Sequence, residues 1–347
     1  MSRQPVGIAM SGGVDSTAVA LLLKDKYEVQ GFFMALDQPD FEQQKRRVEV
    51  LAEGIGIPLQ VIDLKKQFKK LVLDYFSNSY FQGKTPNPCM ICNREIKFGL
   101  FMDTILSAGM DRVATGHYAR IDHRADEYFL HTGTDFINDQ SYFLSRLTQQ
   151  QLSRALFPLG SMSKSDIYRF VESEGYTDFR GRESQDICFL KGKKVGSFLE
   201  NYDKPSVAPG PVVSTTGAVL GQHKGLYRYT IGQRRGLGLP DLSPWYVCTI
   251  DHVNNTLVVG KDKDLFTPTL FACSAHWLNR AKPENNRKYT VRIRYSHPGT
   301  SARFTFISKD SFKLSFDEPQ RAVAPGQYAV LYDGDRVVGS GEIVSEQ

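Results

Sequence analysis

The stretch Val6-Gly7-Ile8-Ala9-Met10-Ser11-Gly12-Gly13-Val14-Asp15-Ser16 decides the fold. A short apolar run, the length of a buried strand, ends at a glycine doublet. Ser16–Lys26 (STAVALLLKDK) then runs on without a breaker and reads as a helix with a broad apolar face. Two glycines let the backbone turn sharply and bring its N–H groups close to a ligand. Successive amides in such a turn make an anion nest, and the following helix N-terminus adds partial positive charge. Ser11 and Ser16 can donate hydroxyl hydrogen bonds to phosphate oxygens. Asp15 would repel a bare phosphate and suits Mg²⁺. No Gly-Lys-Ser/Thr follows, so this is not a Walker A loop. The plainer reading is a tight strand-to-helix turn with Asp15 or Ser16 as N-cap.

The same alternation continues outward. Glu28–Ala35 and Leu59–Leu64 read as strands, Phe41–Ala52, Lys65–Ser77 and Ile96–Ala108 as helices, and Val113–Ala114 as the last short strand. Strands separated by helices predict an α/β domain with a parallel sheet and helices on both faces. Ligands bind beyond the carboxyl ends of such strands. Tyr118–Thr134 has the polarity of a hairpin, and Ser163–Gly175 is one more helix. After about Gly196 proline and glycine rise and long helical patterns stop. Trp245–Asp251, Thr256–Val259, Thr290–Tyr295, Arg303–Phe306, Phe312–Ser315, Tyr328–Tyr332 and Val337–Ile343 read as strands of a small barrel or two.

Composition narrows the class. The 347 residues suit two or three domains. The longest unbroken apolar run, Ala18–Leu23, has six residues, against about 20 for a membrane span. No charged and apolar leader precedes Val6, and five cysteines in this length are no disulfide scaffold, so the expectation is a reducing, cytoplasmic compartment. A net charge of +5 permits a polyanionic partner.

Thr85-Pro86-Asn87-Pro88-Cys89-Met90-Ile91-Cys92-Asn93 places a Cys-x-x-Cys between two helices, and Glu183-Ser184-Gln185-Asp186-Ile187-Cys188-Phe189 supplies a third cysteine. Sulfur handling needs this set: one thiolate carries sulfur as a persulfide, and a second releases it by forming a disulfide. A structural zinc half-site and inert buried thiols are the alternatives, but no further Cys pair or His pair completes four zinc ligands. Cys248 and Cys273 fall in apolar strand contexts and read as filler.

SGGVDS in this setting resembles the PP-loop of the ATP pyrophosphatase superfamily. Together with TPNPCMICNREIKFG, ATGHYAR, DQSYFL, FPLG, ESQDICFL, YTIGQRRGLG and PGQYAVLYDGDRVVGSGEI, in order from Gly7 to about Ile343, the chain resembles the tRNA-specific 2-thiouridylase family. The resemblance implies a PP-loop catalytic domain over 1–197, a central β-rich tRNA-binding domain over 198–268 and a C-terminal β-barrel over 269–347. It implies ATP and Mg²⁺ as cofactors, the latter at Asp15. It implies a tRNA anticodon stem-loop and a persulfide donor protein as partners, with no DNA and no membrane. Cys188 would carry the persulfide and Cys92 would resolve it, with a disulfide between them. Ala9, Met10, Ser11, Gly12, Gly13, Val14, Asp15, Ser16, Met34 and Gly116 would contact ATP, and Asn87, Pro88 and Cys89 the target base. His117, Asn138, Asp139, Gln140, Arg294, Tyr295 and Gln327 would contact tRNA. Many members of the family have Asp where this chain has Cys89. With Cys89, Cys92 and Cys188 converging, three thiolates could instead hold a [4Fe–4S] cluster with an open iron for sulfide. The expected reaction converts the wobble uridine to 2-thiouridine, releasing AMP and pyrophosphate.

The remaining basic residues are weighed by position. Gln233-Arg234-Arg235 is a flexible basic turn suited to phosphate, Arg292 and Arg294 alternate on one strand face, and Lys191–Lys194 follows Cys188. Lys65-Lys66 and Lys69-Lys70 read as a solvated helix face. An amidotransferase-like synthetase would not need Cys92 and Cys188, and a non-catalytic RNA binder would not need an intact SGGVDS.

Overall fold

The computed structural model describes residues 3–36, 40–179, 187–190, 192–203 and 208–345. The N-terminal strands are β1 (Pro5–Met10), β2 (Glu28–Ala35), β3 (Leu59–Asp63) and β4 (Arg112–Ala114). The hairpin of β5 (Ala119–Arg124) and β6 (Glu127–Thr132) follows, then β7 (Ala155–Leu156). Strands β1–β4 and β7 form one parallel sheet in the order β3-β2-β1-β4-β7. Connections run one way from β1 to β3 and the other way to β4 and β7, so the topological switch falls between β1 and β4. That is where open α/β sheets bind ligands. The expectation that Val113–Ala114 closes the sheet is corrected: Ala155–Leu156 adds a fifth strand too short to carry a periodic pattern.

The helix after β1 covers Val14–Leu23, two residues earlier than expected, because the chain reverses at Gly12 (φ +79°). Val14, Ser16–Leu21 and Leu23 are all buried, so this helix is the centre of one hydrophobic cluster. Helical backbone runs on from Lys65 to Phe81, beyond the expected Ser77, with a π-helical turn at Lys69–Leu73. The other large cluster packs Phe68, Phe76, Phe98 and Phe101 beneath the sheet.

The middle region pairs β8 (Gly210–Ser214), β9 (Val219–His223), β10 (Tyr246–Asp251) and β11 (Thr256–Gly260) in the order β10-β11-β8-β9. The C-terminal strands are β12 (Phe266–Trp277), β13 (Lys288–Arg292), β14 (Thr300–Phe306), β15 (Phe312–Arg321), β16 (Tyr328–Asp333) and β17 (Arg336–Val344). They close a six-stranded antiparallel barrel through the β12–β17 pairing. The sequence patterns miss β8, β9 and β12. β8 lies in the Pro/Gly-rich stretch, and β12 contains Pro268, Ser274 at φ +51° and a bulge between Cys273 and His276. A helix, Val195–Asp203, also stands where helical patterns were expected to stop.

Two of the contacts that tie the barrel to the N-terminal domain set its position near the sheet. The β5–β6 hairpin extends the barrel edge, with His131 opposite Arg336. Asp139 is deeper. Its side chain is 1% exposed, and its carboxylate accepts from the Gly133 and Ser141 amides (3.0 and 3.1 Å), the Ser141 hydroxyl (2.9 Å) and Arg292 of β13 (2.7 Å). Removing one partner of a buried ion pair strands the other charge, at about 3–5 kcal/mol. Asp139→Ala is therefore expected to lower Tm by about 5–10 °C in a thermal melt. An unchanged melt would mean that this carboxylate does not join the two domains.

Candidate active site

A cavity of ≈250 Å³ opens at the carboxyl ends of β1, β2 and β4. Seven of the expected nucleotide contacts line it: Ala9, Met10, Ser11, Asp15, Ser16, Met34 and Gly116. Gly12, Gly13 and Val14 form the turn behind them. Thr17 N–H donates to Gly13 O (3.1 Å) as the first helical bond, so the Gly13–Ser16 amides precede the ladder and are the free N-terminal donors of the helix. The serines act differently from the expectation. Ser16 Oγ donates to Gly13 O (3.0 Å) and accepts the Ser11 amide (3.1 Å), so this hydroxyl locks the turn. Gly116 is required by packing: a Cβ there would stand 2.7 Å from Asp15 Cβ and 3.1 Å from Asp15 C. Phe33, Leu36, Gln44, Lys97, Phe101 and Thr115 also line the cavity, and sequence reasoning did not single them out. Phe33 and Thr115 adjoin the expected Met34 and Gly116, and Lys97 lies in the cysteine motif, but no local pattern marks their side chains as facing the cavity.

The charge pattern around Asp15 differs from that of an open metal ligand. Both Asp15 carboxylate oxygens lie 2.9 Å from Lys164 Nζ, and Tyr118 Oη donates to one of them at 2.6 Å. Among the described lining residues Asp15 is the one carboxylate, and it is paired with Lys164, so it alone of the lining could hold Mg²⁺ beside the phosphates. Lys164, at the start of the helix Lys164–Ser173, removes the repulsion that Asp15 would exert on a phosphate. His117 is buried beside Lys97 (Nε2 to Nζ 3.4 Å) and Thr115 (Nδ1 to Oγ1 2.7 Å). Burial and then the Lys97 charge hold its pKa well below the usual histidine value, so the ring is neutral where it lines the cavity.

The cysteines belong to a helix rather than a loop. Asn87 Oδ1 accepts the Met90 amide (3.3 Å) and Pro88 occupies the first turn, so a helix starts at Pro88. It passes into a π-helical stretch, Cys92–Phe101, and ends at Ser107. Cys89 and Cys92 are half-buried thiols, and Cys188 is exposed, with a charge that bears on both. Burial pushes the Cys89 pKa up to about 11 and the Cys92 pKa up to about 12, with Lys97 opposing the shift in each. Among the described residues, no three His, Cys, Asp or Glu side chains are grouped to hold a metal ion, while the charge of Cys188 bears on Cys89 and Cys92 alike. Glu183–Asp186 and Lys191 lie outside the described residues.

The expected tRNA contacts divide. Asp139 is enclosed as described, and with it Arg292, so neither presents a free group. Gln140 lines the cavity and accepts the Tyr118 amide (3.2 Å). Gln327 donates to Thr85 O (2.9 Å) and Pro86 O (3.4 Å), and so holds the approach to the cysteine helix. Gly326 (φ +90°) lies against Lys84 and Thr85, where a Cβ would come within 3.0–3.1 Å. Asn138 is fixed to Asp135 (Nδ2 to Oδ2 3.0 Å) beside Phe136 and Ile137, which are 75% and 90% exposed. Tyr295 is surface-accessible and stacks on Phe143 (4.5 Å between centroids). Arg294 lies beyond the end of β13 and makes a long bond to Arg321 O (3.4 Å).

Fold and site together define an ATP-using HUP-domain enzyme joined to two β modules. The family described as "tRNA methyl transferase HUP domain" matches residues 4–192, the "tRNA methyl transferase PRC-barrel domain" residues 196–261, and the "Aminomethyltransferase beta-barrel domain" residues 267–343. The chain is 50% identical to the tRNA-specific 2-thiouridylase MnmA of Desulfotalea psychrophila, over 99% of this chain and 100% of that one. It is 40% identical to that of Desulfosudis oleivorans (99% and 96%) and 40% to that of Clostridioides difficile (98% and 98%). The chain belongs to the tRNA-specific 2-thiouridylase family, enzymes that form 2-thiouridine in tRNA. Among the described residues no helix is long and apolar enough to cross a membrane.

Thiol accessibility gives a direct check. At pH 7.5, iodoacetamide followed by peptide mass spectrometry is expected to label Cys188 first, with Cys89 and Cys92 at least about tenfold slower, since only thiolate reacts. A raised pKa means more thiolate as pH rises, so labelling of Cys92 should climb about tenfold per pH unit from 7 to 9. A pH-independent rate would contradict the burial of that thiol.

Proposed function

We propose that the enzyme thiolates the wobble uridine of the tRNA anticodon loop, by adenylating the base and delivering sulfur from a persulfide on Cys188. The carrying observation is that the nucleotide cavity and the Cys89–Cys92 helix share a wall: Lys97 lines the cavity while its charge bears on both thiols. Asn87, Pro88 and Cys89 at the head of that helix face the target base. The base leaves the anticodon stack to reach them, at a cost of a few kcal/mol that is smallest in a single-stranded loop.

The chemistry balances as follows. The base 2-oxygen attacks the α-phosphorus of ATP, the bond to the β-phosphate oxygen breaks, pyrophosphate leaves, and N3 gives up its proton. The amides of Gly13–Ser16 and the helix dipole offset the phosphate charge, while Lys164 cancels the repulsion of Asp15. The terminal persulfide sulfur on Cys188 attacks C2, and the C2–O electron pair leaves with AMP, a far better leaving group than a bare carbonyl oxygen. The Cys92 thiolate then attacks Cys188 Sγ. The sulfur–sulfur bond breaks, its electron pair stays on the sulfur of C2, and N3 regains a proton. A Cys92–Cys188 disulfide remains, to be reduced by an external thiol before a donor protein reloads exposed Cys188. The relay uses only thiols of this chain and needs no iron–sulfur cluster. Exposed Phe136 and Tyr295 offer aromatic faces for stacking on unpaired bases, Ile137 an apolar contact beside them, and the basic turn Arg234–Arg235 offers charge to the phosphate backbone.

Cys188→Ser and Cys92→Ser are each expected to abolish 2-thiouridine formation measured by nucleoside mass spectrometry, while Cys188→Ser still releases pyrophosphate with unmodified tRNA. Cys89→Asp should retain thiolation, since a relay needs one carrier and one resolving thiol. Iron and sulfide in the anaerobically purified enzyme, together with an inactive Cys89→Asp, would replace the relay by a cluster. Asp15→Ala, which strips Lys164 and Tyr118 of their shared partner, should lose pyrophosphate release at unchanged tRNA affinity. Full release in that variant would remove the PP-loop assignment.

A further inference from the structure

Lys97 is a half-buried ammonium that forms no ion pair among the described residues. Burying a cation without a counter-charge is costly, and the cost is relieved when an anion arrives. Its place is set by the backbone. Lys97 follows Cys92 by five positions inside the π-helical stretch, and the i→i+5 bonding of that geometry brings residues five apart onto nearly the same face. Lys97 therefore reaches the cavity on the side where the thiols lie. The other ammonium at the cavity mouth, Lys164, is engaged by Asp15. Lys97 is the lining cation with no carboxylate against it.

We propose that Lys97 grips the α-phosphate of the nucleotide, both while the base is adenylated and while AMP departs. This rests on the reading of the cavity as the ATP site. The α-phosphate is the group bonded to the base oxygen when sulfur arrives, so it must lie on the border between the nucleotide cavity and the thiols. The β- and γ-phosphates belong at the glycine turn. In the first step the oxygen–phosphorus bond forms and the pyrophosphate electron pair leaves. In the second the C2–O pair passes onto the AMP oxygen. Charge gathers on the α-phosphoryl oxygens both times, and a preorganised ammonium is worth most there.

His117 is the positioning residue. Its Nδ1 faces Thr115 Oγ1 at 2.7 Å and its Nε2 faces Lys97 Nζ at 3.4 Å, so a neutral ring that donates to Thr115 accepts from Lys97 and aims it. Thr115 and Gly116 leave the end of β4, and Gly116 packs on Asp15, so the rigid sheet edge carries this chain of contacts to the glycine turn.

The test uses the full-length enzyme with AMP and ATP as separate probes in calorimetric titrations, and pyrophosphate release with unmodified tRNA as the rate. Lys97→Met is expected to weaken AMP and ATP alike by roughly tenfold or more, the value of one charge-assisted hydrogen bond, and to slow pyrophosphate release by a larger factor. Lys97→Arg should recover part of both. His117→Gln, which keeps an acceptor for Lys97, should retain more activity than His117→Leu. Unchanged AMP and ATP affinity in Lys97→Met overturns the assignment. A loss confined to ATP moves Lys97 to the β- or γ-phosphate and overturns it too, as does a Lys97→Arg as impaired as Lys97→Met. Equal loss in the two His117 variants removes its positioning role. Should Lys97→Met not fold, Lys97→Gln carries the same comparison. A wild-type enzyme that binds neither nucleotide sinks the cavity reading itself, a result distinct from the failure of Lys97 alone.

Discussion

The buried carboxylate of Asp139 is the contact on which the rest of the site depends. It satisfies two backbone amides and a hydroxyl of its own segment and, through Arg292, reaches into the barrel. A charge this deep is stable only when every lone pair has a donor, so the segment from Gly133 to Ser141 has little freedom. Its neighbour Gln140 is thereby held at the nucleotide cavity, where it braces Tyr118, and Tyr118 in turn braces Asp15. The glycine turn is positioned from a distance by an ion pair that never touches the nucleotide.

The barrel acts on the other half of the site in the same way. Gln327 and the Pro325 carbonyl bind the backbone of Thr85 and Pro86, and Lys84 pairs with Glu342 at 3.2 Å. The segment that delivers Asn87 and the cysteine helix is thus clamped from the C-terminal domain. Thiols on a clamped helix start have a defined approach to whatever occupies the cavity, which a mobile loop would not provide.

Electrostatics separates the roles of the thiols. Cys89 and Cys92 are held protonated by burial, whereas Cys188 is exposed. An accessible thiol suits loading by another protein. A buried one stays silent until the lysine beside it and the arriving disulfide sulfur favour its thiolate. Lys97 and Lys164 divide the cavity: one is neutralised by Asp15 beside the glycine turn, the other is left open towards the sulfur side.

The glycine turn, the parallel α/β alternation and the Cys-x-x-Cys pair were legible in the sequence because each is local. A strand running into Gly-Gly and a helix has one physical reading, and Cys89 and Cys92 lie three positions apart. The helix start at Pro88 reads in the sequence as a loop between helices, although an asparagine cap followed by proline marks it. What stayed hidden was set at long range. Lys164 is 149 positions from Asp15, and Arg292 is 153 from Asp139. Nothing around Asp139 or Gln327 distinguishes a surface contact from a buried brace, since the same side chains serve both and only the packing of another domain decides. The sequence by itself determined the chemistry available: an anion-binding turn and thiols able to hand sulfur on. Only the tertiary structure decided which charges are already spent on each other and which remain for the substrate, because burial and pairing are properties of side chains that the chain brings together from far apart.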